Sequence, residues 1–174
     1  MAFRLCEQDI TTHPASYLVH QTNCVSDTWS GLALAVFNSF PWSNTYKGRV
    51  KYDVPGSIQV CGEGEQRKVI NLMGQYFPGA HDPNPESKDS EKARHGFFSE
   101  GLAGIEGLLS MGALGEEKET SFVFPWLIGC GLARGNWDHY LGEIKNFAHR
   151  NSGRAIVFVT KLPGKEKGGV VKRV

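Results

Sequence analysis

Residues Tyr17–Pro41, YLVHQTNCVSDTWSGLALAVFNSFP, contain the pattern from which the architecture of the chain is best predicted. The segment opens with the apolar run 17–19, short enough for a buried strand, and polar residues 20–24 follow as a strand end. A loop containing Gly31 then leads into the apolar segment 32–37, which predicts a buried helix. A strand, a glycine-bearing loop and a helix leave unpaired N–H groups at the helix start, where the helix dipole favours an anion.

A second segment of the same kind lies far along the chain. The apolar residues 120–124 predict a buried strand, residues 125–136 form a glycine-rich loop, and 137–149 has the spacing of an amphipathic helix. The first loop does not have the glycine spacing of a P-loop or a dinucleotide fingerprint. In a parallel sheet, however, both loops follow the carboxyl ends of strands and lie on one edge. Two such loops facing each other form a clamp suited to a diphosphate.

The remaining segments complete an α/β pattern. Strands are predicted at 3–7, 57–61, 68–73 and 155–159, the middle two as a hairpin, and a long helix at 90–111. Alternating strands and helices predict an α/β sandwich with a largely parallel central sheet. The irregular segment 74–88 contains prolines and glycines, and loops of this length are often functional lids. We predict one domain over 1–163 and a basic, flexible tail over 164–174.

Composition narrows the classes of partner. The chain has 174 residues, 40% of them hydrophobic, and a formal net charge of +1, typical of a globular domain without a strongly basic surface. We therefore do not expect nucleic acid or a membrane as a partner, and any bound anion must be held by local groups. The four cysteines are widely spaced, which predicts reduced thiols in a cytoplasmic or nuclear protein and no zinc site.

The two loops together resemble those of a macrodomain, the ADP-ribose-binding α/β/α module. HQTNCVSDTWSGLALAVFNSFP resembles the first phosphate-binding loop of that family, and FPWLIGCGLARGNW resembles the second. The resemblance implies a three-layer α/β/α sandwich with a mixed, largely parallel central sheet. It also implies ADP-ribose or ADP-ribose 1″-phosphate as ligand, with an ADP-ribosylated protein as a further potential partner. No cofactor or obligatory metal is expected.

The resemblance also assigns ligand-binding residues. Asp9 would accept a hydrogen bond from the adenine amino group, with the Ile10 backbone beside it, and Asn23 would contact the terminal ribose. Trp29 would either pack over this ribose or close its loop onto the core. The residues expected to wrap the diphosphate and terminal ribose through their backbone are Gly31, Leu32 and Ala33 in the first loop and Ile128, Gly129, Cys130, Gly131 and Leu132 in the second.

Two enzymatic branches of the family share parts of this sequence. LVHQTNC followed by Trp29 resembles the ADP-ribose 1″-phosphate phosphatases, whereas IGCGL followed by a Trp resembles both these and the terminal ADP-ribose glycohydrolases. The glycohydrolases rely on a Lys and an Asp at positions that here are Gln75 and Ala133. Both departures count against glycohydrolase chemistry.

His20 is the catalytic candidate, because an imidazole can act as nucleophile or base near neutral pH. It would face the 1″ position of bound ADP-ribose with Asp82 or Asp89 as its carboxylate partner; alternatively, His20 is a hydrogen-bonded strand residue and each Asp forms a turn or cap. The expected function is hydrolysis of ADP-ribose 1″-phosphate. The alternatives are a non-catalytic ADP-ribose reader and a hydrolase that removes ADP-ribose from proteins.

Overall fold

The computed structural model describes residues 2–115 and 120–164. Its strands are β1 (Phe3–Glu7), β2 (Tyr17–Asn23), β3 (Ile58–Cys61), β4 (Lys68–Gln75), β5 (Thr120–Pro125) and β6 (Ala155–Lys161). Its α-helices are α1 (Gly31–Ser39), α2 (Glu91–Ser110) and α3 (Trp137–Arg150), with short 3₁₀ turns at Ile10–Thr12 and Pro41–Ser43. Each predicted strand and helix is present, with bounds shifted by a few residues.

The strands form one six-stranded sheet in the order β1-β6-β5-β2-β4-β3. All neighbours are parallel except β3 and β4, which form the antiparallel hairpin predicted from the sequence. The predicted α/β class with a mixed, largely parallel sheet is therefore confirmed. Strand β2 lies beside both β5 and β4, so the loops that follow β2 and β5 leave the sheet next to each other.

Helices cover both faces of the sheet. Successive side chains of β2 point to opposite faces, so they belong to two different apolar clusters. Tyr17 and Val19 belong to the cluster that includes residues of α2 and α3. Leu18 belongs to the second cluster, with Val36 and Phe37 of α1. This arrangement gives the three layers of the expected sandwich.

The central strands run further than the apolar pattern predicted. β2 continues to Asn23 because its polar end stays paired with β4, Thr22 opposite Met73 and Asn23 opposite Gln75. The basic tail predicted at 164–174 lies outside the described residues apart from Gly164. Within the described ranges, the helices are all too short or too polar to cross a lipid bilayer.

Two glycines of α2 should respond to alanine in opposite ways. A Cβ on Gly101 would lie 2.4 Å from Leu72 Cγ, whereas one on Gly96 would meet nothing within 4 Å. We expect Gly101→Ala to destabilise the fold by about 1–3 kcal/mol through overpacking. Gly96→Ala should stabilise it by about 0.5–1 kcal/mol through helix propensity. Urea denaturation measures both, and equal shifts in the two variants would show that α2 does not pack on β4 as described.

Candidate functional site

A cleft of about 580 Å³ lies at the carboxyl edge of the sheet, between the β2–α1 and β5–α3 loops. A Cβ on Gly31 of the first loop would lie 3.4 Å from Leu132 Cδ1 of the second. At one end the cleft is bordered by Ile10 and residues 160–162, and at the other by Gln75 and residues 78–79. The two glycine-bearing loops, at 24–31 and 125–136 in the sequence, therefore meet across one cavity. Its volume falls in the range of small-molecule sites, about 300–1,000 Å³.

The start of the first loop is fixed by hydrogen bonds to Asn23. Its Oδ1 accepts from the N–H groups of Val25 and Ser26, at 3.1 and 2.8 Å. Its own N–H and Nδ2 both donate to the Tyr46 hydroxyl, at 2.8 and 3.1 Å. Arg49 donates to the carbonyls of Asn23 and Ser26. Asn23 lines the cleft, and its amide already holds the loop in shape.

The start of α1 presents uncapped N–H groups to the cleft. Ser30 occupies the N-cap position without a side-chain capping bond, and the first turn contains no acidic residue. The first N–H groups of a helix lack intrahelical acceptors. Gly31, Leu32 and Ala33 all line the cleft, and Gly31 has a φ of +57°, which favours glycine. This end of α1 is therefore suited to bind an anion.

The second loop is a series of tight turns in which the peptide N–H groups divide into two sets. Those of Ile128 and Cys130 donate to the carbonyls of Pro125 and Leu127, so they are used within the loop. For the N–H groups of Gly129, Gly131 and Leu132, the described residues supply no acceptor. All three of these residues line the cleft. The second loop thus also offers free donors.

Two glycines let this loop pack closely on α3. A Cβ on Gly129 would lie 2.8 Å from Tyr140 Cζ, and Gly129 has a φ of +70°. A Cβ on Gly135 would lie 2.4 Å from the carbonyl oxygen of Gly129, to which the Gly135 N–H donates. Any larger side chain at either position would move the loop and with it the free N–H groups.

The other predicted contact residues differ in their relation to the cleft. Ile10 and Trp29 line it, and the Trp29 ring also packs edge-on against Phe37 with ring centroids 6.4 Å apart. Asp9 is exposed beside Ile10, and its Oδ1 accepts from the Thr11 N–H and hydroxyl. Cys130 does not line the cleft. Its thiol packs against the core, and burial raises its pKa to about 11, so it is not a ready nucleophile.

His20 is not where the sequence predicted it. It lies inside β2, fully buried, and does not line the cleft. Its Nε2 lies 2.6 Å from Asn71 Oδ1, and its ring packs edge-on against Phe37 of α1. Burial lowers the His20 pKa to about 4, so the imidazole is neutral at pH 7. The prediction that His20 faces a bound ligand is wrong, because β2 continues past it to Asn23.

The two carboxylates proposed as partners of His20 have other contacts, and neither lines the cleft. Asp82 is exposed and accepts from the Asn84 N–H at 2.9 Å, which lowers its pKa as expected of a turn residue. Asp89 is buried and accepts from both Arg94 Nη2, at 2.6 Å, and the Tyr76 N–H, at 2.8 Å. The structure thus does not assemble the predicted catalytic group.

Arg94 of α2 is a residue that the sequence reasoning missed. Besides pairing with Asp89, its guanidinium donates to the carbonyls of Phe77, Gly79 and Ala80 in the irregular segment after β4, at 3.2, 2.7 and 3.2 Å. It also lies 3.5 Å from the carbonyl oxygen of Ala133 in the second loop. One buried cation therefore joins two walls of the cleft.

The cleft has few ionisable side chains. Among the described residues that line it, Tyr46 and Lys161 are the ionisable ones, with no carboxylate, imidazole or thiol. Burial raises the Tyr46 pKa to about 12, so its hydroxyl stays protonated, and Lys161 pairs with Glu7 at 3.1 Å. The polar groups that line the cleft are therefore mainly backbone, hydroxyl and amide groups.

Comparison with known proteins gives a match at the level of structure. No family sequence model and no curated protein sequence matches the chain. The macrodomain of Thermus aquaticus DarG is similar with a TM-score of 0.63 at 20% identity, over 91% of this chain and 97% of that one. The macrodomain of Mycobacterium tuberculosis DarG has a TM-score of 0.65 at 16% identity, over 92% of this chain and 99% of that one. A Trypanosoma brucei macrodomain in complex with ADP-ribose has a TM-score of 0.62 at 13% identity, over 93% of this chain and 64% of that one. The chain therefore has the macrodomain fold.

Proposed function

We propose that this protein binds ADP-ribose, free or attached to a protein, and does not hydrolyse it. The observation that carries the proposal is the meeting of the two loops at one cleft, where a Cβ added to Gly31 would lie 3.4 Å from Leu132 Cδ1. Free N–H groups approach the cavity from the start of α1 on one side and from Gly129, Gly131 and Leu132 on the other. A diphosphate between them would accept hydrogen bonds from both loops.

The absence of turnover is proposed from the side chains around the cleft. Phosphate-ester or glycosidic hydrolysis by a protein's own groups needs a nucleophile, or an acid or base with a suitable pKa. Of the ionisable residues that line the described part of the cleft, Tyr46 has its pKa raised to about 12 by burial, and Lys161 forms an ion pair with Glu7. A binding function is therefore favoured over the phosphatase expected from the sequence.

Calorimetry with ADP-ribose tests the binding proposal, and Gly131 offers a matched pair of variants. A Cβ at Gly131 would meet nothing within 4 Å, so substitutions there need not disturb packing. We expect binding at micromolar ligand concentrations, at least about tenfold weaker in Gly131→Glu than in the uncharged Gly131→Gln because of repulsion of the diphosphate. Equal affinities in the two variants, or no binding by the unchanged protein, would contradict a diphosphate site at this loop.

Two activity assays test the second half of the proposal. Phosphate release from ADP-ribose 1″-phosphate and loss of ADP-ribose from a modified protein should both stay at the rate of a protein-free control. Catalytic phosphate release would restore the phosphatase hypothesis with residues other than His20. Loss of ADP-ribose from the modified protein would instead indicate a hydrolase.

A further inference from the structure

Large apolar side chains are exposed together on a surface beside the cleft. Val50, Tyr52 and Val54 are 97%, 64% and 69% exposed and occupy alternate positions of one irregular segment. The Tyr52 ring packs edge-on against Tyr76, with ring centroids 6.4 Å apart, and Tyr76 packs against the half-exposed Phe77 at 4.8 Å. Grouped apolar side chains of this kind are typical of an interaction site, whereas single ones are not. We call this group the rim surface; it comprises residues 50–54, Tyr76, Phe77 and Lys88.

The backbone of the same segment has unpaired hydrogen-bonding groups. The N–H groups of residues 50–52 and the carbonyls of residues 50–53 have no partner among the described residues. Proteins that bind an extended peptide often do so by pairing with a row of such free main-chain groups. The rim surface therefore offers a partner both apolar contacts and backbone donors and acceptors.

Hydrogen bonds hold this segment against the wall of the cleft. The Asp53 N–H donates to the Cys24 carbonyl at 3.0 Å, and the Asp53 carboxylate accepts from Arg49 Nη2 at 2.7 Å. The Arg49 side chain, 4% exposed, also donates to the carbonyls of Asn23 and Ser26, both of which line the cleft. The rim surface is thus ordered before any partner arrives, which lowers the entropic cost of binding.

The free charges of the rim surface are positive. Lys51 and Lys88 are exposed and form no ion pair among the described residues, and Glu86, two residues before Lys88, does not pair with it. Lys88 Nζ lies 3.9 Å from the centre of the Tyr76 ring. Asp53 is the carboxylate of residues 50–54, and both of its oxygens already accept hydrogen bonds. Free ammonium groups beside aromatic rings complement an acidic partner that also carries apolar side chains.

The rim surface continues directly into the cleft. The Phe77 carbonyl accepts from Nε2 of Gln75, which lines the cleft, and the next residues, Pro78 and Gly79, line it as well. A protein that carries ADP-ribose must bring its own surface to the mouth of the cleft when the ligand enters. A polypeptide there meets the rim surface.

From this arrangement we infer that the rim surface binds the polypeptide to which ADP-ribose is attached, and that it prefers an acidic segment with apolar residues. The inference rests on the proposed function and makes protein-attached ADP-ribose the favoured ligand. Its charge contribution should weaken at high salt, because exposed charges are screened.

The test compares free ADP-ribose with two peptides that carry ADP-ribose at the same position, one with acidic and apolar flanks and one with basic flanks. By calorimetry, we expect the unchanged protein to bind the acidic peptide at least about tenfold more tightly than either other ligand. Lys88→Glu and Tyr52→Ser should each lose most of this preference and keep the affinity for free ADP-ribose. A circular dichroism melt checks that each variant folds.

Lys145→Glu is the matched control for Lys88→Glu. Lys145 is also an exposed lysine whose Nζ lies over an aromatic ring, that of Phe3 at 5.7 Å, but it belongs to α3 and does not line the cleft. The same charge change there should alter the affinity for none of the three ligands.

The possible failures are distinguishable. If the unchanged protein binds neither free ADP-ribose nor the peptides, the proposed function fails. If it binds free ADP-ribose and both peptides equally well, or if Lys88→Glu and Tyr52→Ser weaken free ADP-ribose as much as the acidic peptide, the inference about the rim surface is overturned while the binding function stands.

Discussion

An Arg94→Met variant is expected to lose about 3–5 kcal/mol of unfolding free energy, because it leaves the buried Asp89 carboxylate without its cation. The two side chains are 2–3% exposed and joined by two hydrogen bonds, Nε to Oδ1 at 3.0 Å and Nη2 to Oδ2 at 2.6 Å. A surface pair would contribute at most about 1 kcal/mol. Urea denaturation at neutral pH measures the loss.

The double variant Arg94→Met, Asp89→Asn is the matched control. It removes both charges and keeps an amide oxygen that can accept the Tyr76 N–H, which Asp89 accepts now at 2.8 Å. We expect it to recover part of the stability lost in the single variant, because no uncompensated charge stays buried. A single variant that loses less than about 1 kcal/mol would show that Arg94 does not join the cleft walls in the way described.

The second large effect is an acid-induced loss of stability through His20. Its pKa is about 4 in the folded chain, because of burial, and 6.5 is the ordinary value for the unfolded chain. Between these values the unfolded state binds the proton and the folded state does not, so stability falls as the pH falls from 6.5 toward 4. Moving from pH 7 to pH 4 should cost about 3 kcal/mol from this residue alone.

Comparison with His20→Gln separates this effect from other titrations. Glutamine does not titrate and can donate to Asn71 Oδ1 as the imidazole does. His13 and His95 also have pKa values lowered by burial, but both remain in the variant, so their contributions cancel. The unchanged protein should lose about 3 kcal/mol more than His20→Gln between pH 7 and pH 4. Parallel stability curves would contradict the buried, neutral state of His20.

Much of the fold could be predicted because one sequence pattern occurs twice in the chain. The apolar runs at 17–19 and 120–124, each followed by a glycine-bearing loop and a helix, predicted parallel strands whose loops share one edge. The structure places β2 next to β5 and brings the loops that contain Gly31 and Leu132 to one cleft. This arrangement could be predicted because parallel connections leave few alternatives.

The catalytic assignment failed for a local reason. A strand buried on both faces has no polar alternation to mark its end, so His20 looked like a strand-end residue although the strand continues for three more positions to Asn23. Arg94 and Tyr46 were not predicted from the sequence, and they differ in whether the residue pattern could have indicated them. Arg94 precedes Phe98 and Leu102 at helical spacing, so a charge on the apolar face of α2 was visible, whereas Tyr46 lies in an irregular segment without periodicity.

A titration of ¹⁵N-labelled protein with ADP-ribose, followed by the chemical shifts of its backbone amides, tests whether both loops hold one diphosphate. We expect the N–H signals of Gly31 to Ala33 and those of Gly129, Gly131 and Leu132 to shift together, with the same midpoint, because one ligand accepts hydrogen bonds from both sets. Shifts confined to one loop, or signals in both loops that stay unchanged at saturating ADP-ribose, would contradict the proposed site.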